Sequence, residues 1–149
     1  AGTVVEPLAI WKKFPSARVF AHQAAGCTIL ESLYQSIRCP LQILLLGEPL
    51  AAPRAPRATA SLSGLGEGAV TGSVTVTIDV ETKPGWSFGK YLFLLDGRTV
   101  GAKQASRSFT LDTRRFPNGE HVLRGVGYGV GAVHSQVFAE KRFAIANGK

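Results

Sequence analysis

The chain has 149 residues, 45% of them hydrophobic and 18% charged, with 17 Gly, 8 Pro and two Cys. This is enough apolar material for a real core and too much for a wholly disordered chain, while two cysteines are too few for a dense disulfide scaffold or a four-thiolate zinc site. The net charge of +7 is spread along the chain, with Arg114-Arg115 and Lys141-Arg142 as pairs and no basic stripe interleaved with stacking aromatics, which speaks against nucleic acid as a partner.

In chain order, Gly2-Thr3-Val4-Val5 reads as a short strand that Pro7 ends or places at a sheet edge. The pattern opens in mid-strand, no Met occurs, and no signal-peptide pattern is present, so the expectation is a piece of a longer product whose upstream part is its first partner. Ala17-Arg18-Val19-Phe20-Ala21 predicts a second short extended segment. Thr28-Ile29-Leu30-Glu31 has the form of a capping box, in which hydroxyl and carboxylate satisfy the first free amides of a helix. Leu30, Leu33, Tyr34 and Ile37 then share one helical face, and Pro40 stops the helix. Ile43-Leu44-Leu45-Leu46 is apolar on both faces, as a strand buried in a parallel sheet would be. The longest apolar run, from Leu41 to Leu46, is far shorter than the roughly 20 residues of a membrane span. Residues 1–52 therefore predict the βαβ end of an α/β domain, with the rest of its sheet supplied from upstream.

Gly47, Pro49, Pro53 and Pro56 mark a boundary, with a stiff Pro-rich linker over 53–58. Residues 59–149 read as all-β. Val74, Val76, Ile78 and Val80 alternate with polar residues at a strict period of two. Tyr91 to Leu95 and Arg98 to Val100 flank Asp96-Gly97, a two-residue type I′ hairpin signal. Ser108 to Asp112, His121 to Tyr128 and Val133 to Ala146 follow, and with Ala60 to Leu65 in front they make about seven strands, the count of an immunoglobulin-like sandwich. No cysteine lies in this region to form an inter-sheet disulfide.

Few residues suggest chemistry. Cys27 precedes a helix start, where amides and the macrodipole favour thiolate, and His22 is near enough in sequence to serve as its base. The bland alternative is a small buried Cys at a tight Gly26 turn. Cys27 and Cys39, separated by about 18 Å of predicted helix, are too far apart for a disulfide. Gly125, Gly127, Gly129 and Gly131 alternate where a phosphate loop needs G-x-G-x-x-G before a helix, so they predict one flat or closely approached face of a hairpin. Asp79, Glu81 and Asp96 lack the spacing of a calcium loop. There is no G-x-S-x-G, H-E-x-x-H or Walker motif, so neither metal nor cofactor is expected. Trp86, Phe88 and Tyr91, beside Pro84-Gly85, form a candidate contact patch for a protein or glycan; the alternative is that they pack one end of the sandwich.

The strings Gly2-Thr3-Val4-Val5-Glu6-Pro7, Lys13-Phe14-Pro15-Ser16, Ala25-Gly26-Cys27-Thr28 with Glu31 and Tyr34-Gln35-Ser36, and Leu45-Leu46-Gly47-Glu48-Pro49-Leu50 occur in this order. Together they resemble the C-terminal end of a planctomycete-type bacterial family similar to caspase-like cysteine peptidases of gingipain and clostripain type. The resemblance covers about a third of the chain. A "GDP-L" string closes the last core strand in the wider group, and Gly47-Glu48-Pro49-Leu50 stands here with Glu for Asp. The resemblance implies that the catalytic His and Cys lie on earlier strands, upstream of Ala1; His22 and Cys27 match a later segment and inherit no role. It also implies an extracytoplasmic location and a trailing sandwich that steadies the core or binds a ligand. The rival expectation is a stand-alone structural or binding module that recognises a protein or glycan through the sandwich.

Overall fold

A computed structural model describes residues 2–3, 11–39, 43–55, 57–131 and 133–148. The chain divides into two compact units, residues 1–56 and 57–149.

In the first unit, β1 (Gly2–Thr3) pairs with β2 (Ile43–Leu44), and α1 (Arg18–Ala24) packs on α2 (Ile29–Ser36). The capping box of α2 is complete. Thr28 Oγ1 accepts from Glu31 N at 3.1 Å, and Glu31 Oε2 accepts from Thr28 N at 2.8 Å. Ile29 N and Leu30 N donate to Ala51 O and Pro49 O, so the first amides of the helix are all engaged. Leu33 and Ile37 are buried as the helical spacing requires, but Tyr34 is exposed. Ser32 and Ser36 take part of that face instead, their hydroxyls donating back to Thr28 O and Ser32 O. The helix ends at Ser36, because Ile37 is already extended at φ −116 and ψ 133.

Three expectations are corrected here. Residues 18–21 are helical: Val19 and Phe20 suggest a strand, but Arg, Ala and Gln around them are strong helix formers. β1 and β2 are antiparallel, not the parallel strands of a βαβ crossover. Among the described residues, two α-helices lie between them where one was expected. Within residues 43–46, Leu44 and Leu46 are 47% and 78% exposed while Ile43 and Leu45 on the other face are half-buried, so neither face is buried as a central strand's would be. Val4, Val5, Pro7, Pro40, Leu41 and Gln42 lie outside the described residues.

Among the described residues, the second unit is an immunoglobulin-like β-sandwich of seven strands. β3 (Ala58–Ser63), β4 (Ser73–Thr82) and β7 (Ser108–Asp112) form one sheet in the order β3-β4-β7. β5 (Phe88–Leu95), β6 (Arg98–Gln104), β8 (Gly119–Gly129) and β9 (Gln136–Ile145) form the other, ordered β6-β5-β8-β9. All pairs are antiparallel. Asp96 and Gly97 have φ of 49° and 78°, the two positive values that a type I′ turn demands. Val76, Ile78, Phe93, Leu111, Leu123 and Ile145 meet between the sheets and are almost wholly buried. Phe93 stacks on Phe109 at 5.3 Å between ring centroids. Gly125 and Gly127 lie buried on the inward face of β8. A Cβ on Gly125 would come within 2.9 Å of Leu62 Cδ2 and 3.2 Å of Ile78 Cδ1, so the sheets approach closely along this glycine face. Val70 caps the outer edge of β9, donating to Ala144 O at 2.8 Å and accepting from Ala146 N at 3.0 Å.

Candidate functional site

His22 and Cys27 are neighbours for a structural reason. α1 ends in a Schellman motif: Cys27 N donates to His22 O at 3.1 Å and Gly26 N to Gln23 O at 3.0 Å, with Gly26 at φ 94°. That backbone closure sets the five-residue spacing that suggested a nucleophile and its base. The Cys27 thiol is buried, and its polar neighbour is Gln35, whose Nε2 lies 4.0 Å from Sγ. Both cysteines are free thiols. The fold therefore places no His–Cys hydrogen bond here among the described residues.

The aromatic trio also separates. Phe88 and Tyr91 point between the sheets at 9% and 1% exposure. Tyr91 Oη donates to Phe88 O at 2.9 Å and accepts from Arg107 Nε at 3.1 Å. Trp86 alone remains half-buried in the turn before β5, its amide donating to Lys83 O. As a shared contact patch the trio is reduced to Trp86; the other two rings pack the end of the sandwich.

Of the acidic residues weighed for calcium, Asp79 accepts from Ser63 Oγ and Asp96 anchors the start of β8. Among the described residues, no three His, Cys, Asp or Glu side chains cluster as metal ligands would. Asp96 Oδ1 accepts from Val122 N at 2.9 Å, and Oδ2 lies 2.6 Å from His121 Nδ1. His121 Nε2 lies 2.9 Å from Pro117 O. An ionised carboxylate and a carbonyl can only accept, so the doubly protonated ring is the form that satisfies both. The Val122 amide, then His121, hold Asp96 below the ordinary carboxylate range despite some burial. Burial opposes charge on His121, but bonds to Asp96 and Pro117 and the charges of Asp96 and Glu120 together raise its pKa above the ordinary 6.5.

A raised histidine pKa contributes stability that is fully present below the unfolded value and is lost as pH rises through the folded one. Between about pH 6 and 8, urea unfolding of the sandwich is therefore expected to show stability falling with pH, with a flatter slope in His121→Gln. A slope unchanged by the substitution would contradict this assignment. Asp96 acts at the other end: its contribution is present above its ordinary 3.8 and disappears as pH falls through its lower folded value.

The remaining feature with recognition chemistry lies on the outer face of the four-stranded sheet. Lys90 of β5 pairs across the ladder with Tyr128 of β8, both facing outward. From β6, Lys103 lays its Nζ 3.6 Å from the centre of the Tyr128 ring, a close cation–π contact. Val130 and His134, in the turn between β8 and β9, close one side of a cleft of about 300 Å³. Gly129 N donates to Ser135 O and Val130 N to Ser87 O, so these rim amides are already engaged. No Asp or Glu lines the cleft. Sequence reading missed it because its basic and aromatic residues come from three strands and a turn. The outward alternation of β5 and β8 marks Lys90 and Tyr128 as surface positions, but only strand register makes them neighbours.

No helix among the described residues is long and apolar enough to cross a membrane. No protein-family model matches the chain, and no curated protein matches it. Among solved structures, it is similar to the fibronectin(III)-like modules of Clostridium thermocellum CbhA, with a TM-score of 0.48 and 13% identity over 62% of this chain and 48% of that one. It is also similar to the endo-beta-1,4-mannanase from Thermotoga petrophila, with a TM-score of 0.47 and 20% identity over 62% of this chain and 20% of that one. The chain thus spans less than half the length of either structure.

Proposed function

We propose that this chain is the non-catalytic C-terminal portion of a caspase-like cysteine peptidase of gingipain or clostripain type. In this reading residues 1–52 close the α/β core, and the immunoglobulin-like sandwich stabilises the protein or binds for it. The observation that carries it is the surface of the first unit. Phe20, Leu46, Leu50 and Trp11 are 72%, 78%, 69% and 64% exposed, and a fully buried side chain of this size stabilises by about 1.5–3 kcal/mol. A unit this small that leaves so much apolar surface in water is suited to be covered by further sheet and helices. The ordered strings that resemble the planctomycete-type family similar to caspase-like peptidases support the upstream part of the same protein as that cover, and with it an extracytoplasmic location. The catalytic pair would then reside upstream, in accord with the Schellman geometry at His22 and Cys27.

Thermal unfolding tests this. Residues 1–52 alone are expected to show no cooperative transition, whereas the 149-residue chain shows one from its sandwich. A sharp transition from residues 1–52 would sink the incomplete-core argument. In the full-length parent, Cys27→Ala is expected to leave any peptidase activity in place, and its loss with the fold intact would make Cys27 catalytic after all. The second reading, a structural or binding module that acts through the sandwich, is favoured by one specific observation, the lysine-lined cleft on its outer sheet.

A further inference from the structure

We propose that the cleft formed by Lys90, Lys103, Tyr128, Val130 and His134 binds a sugar acid, taking its carboxylate between the two lysines and its ring against Val130, beside the Tyr128 ring that Lys103 covers. This rests on the binding-module reading of the sandwich and names its ligand class. Charge comes first. Lys90 and Lys103 enter none of the ion pairs among the described residues, which join Asp112 to Arg114, Asp96 to His121 and Glu140 to Arg124. With no carboxylate in the lining, two lysines border the same space without a counter-charge there. Lys103 is also held in place by its contact with the Tyr128 ring, which lowers the ordering cost of binding.

The neighbours narrow the class. A phosphate or sulfate site commonly adds free backbone amides or a bidentate Arg to its lysines. Here the amides of residues 129 and 130 are engaged and no Arg lines the cleft. The amides of residues 129 and 130 are likewise not available to an added peptide strand. What remains is side-chain charge beside apolar surface: Val130, 62% exposed, stands next to the cations. A ring with a carbon face, hydroxyls and one carboxylate matches that combination. A cleft of about 300 Å³ lies at the small end of ligand pockets, the scale of one or two sugar units.

The test is titration of the ¹⁵N-labelled 149-residue chain at low ionic strength with trigalacturonate, the neutral galactose trimer, inorganic sulfate and a glutamate hexapeptide. Trigalacturonate is expected to bind with Kd on the order of 1 mM and to shift amides at residues 89–90, 103 and 128–134. A Lys90→Gln, Lys103→Gln double variant should weaken it about tenfold while the melting temperature stays put. Equal binding of the neutral trimer or of sulfate would overturn the sugar-acid assignment. Tighter binding of the peptide at the same amides would overturn it too, while leaving a binding module. No shift from any probe, with the protein folded, would remove both the ligand class and the binding reading of this cleft.

Discussion

Gly64→Ala is expected to lower the melting temperature of the sandwich by roughly 12 °C or more, at about 4–8 °C per kcal/mol for a domain of this size. Gly64 follows β3 at φ +93°, where an L side chain is strained by about 1–3 kcal/mol. A Cβ there would also overlap the backbone carbonyl oxygen of Thr75. That oxygen belongs to β4, the middle strand of its sheet, so relief requires the backbones to part rather than a side chain to rotate. Forced shifts of this kind add about 1–3 kcal/mol, for a total near 3 kcal/mol. Gly72→Ala is the control: its φ is +72° with nothing within 4 Å of the added Cβ, so it should carry the strain without the overlap. Equal effects at both sites would contradict the close approach of residue 64 to β4.

Tyr91→Ala is expected to cost about 3–5 kcal/mol and to unfold a large fraction of the molecules near body temperature. The ring is 1% exposed in the core, and its hydroxyl joins Phe88 O to Arg107 Nε. Tyr91→Phe keeps the ring and loses the hydroxyl bridge, for about 1 kcal/mol. Denaturant unfolding of the two variants separates the roles. A folded, stable Tyr91→Ala protein with an altered ligand response would return Tyr91 to the surface patch that its position beside Trp86 suggested.

That contrast shows where sequence reading reached and where it stopped. Asp96-Gly97 specified its hairpin because a type I′ turn needs two positive φ values and these residues tolerate them. The alternation from Val74 to Val80 specified a half-buried strand, and the Thr28–Glu31 spacing specified a helix start. The glycines of β8 were legible as a closely approached face, although the identity of the approaching Leu62 and Ile78 was not. Val19-Phe20 is too short to carry a period, and the packing of α1 on α2 decides its helical conformation.

The candidate sites divide along the same line. Cys27 and His22 are close in sequence, and their closeness is a helix end; Lys90, Lys103 and Tyr128 are distant in sequence, and register makes them one surface. Amino-acid order by itself determined the elements whose signals are local: the turns, the helix cap and the seven strands with an inward and an outward face. Only the tertiary structure decided the direction of β1 against β2, the burial of Phe88 and Tyr91, and the assembly of the cleft. Those depend on which strands pair and in what register, a choice made by apolar contacts between residues far apart in the chain.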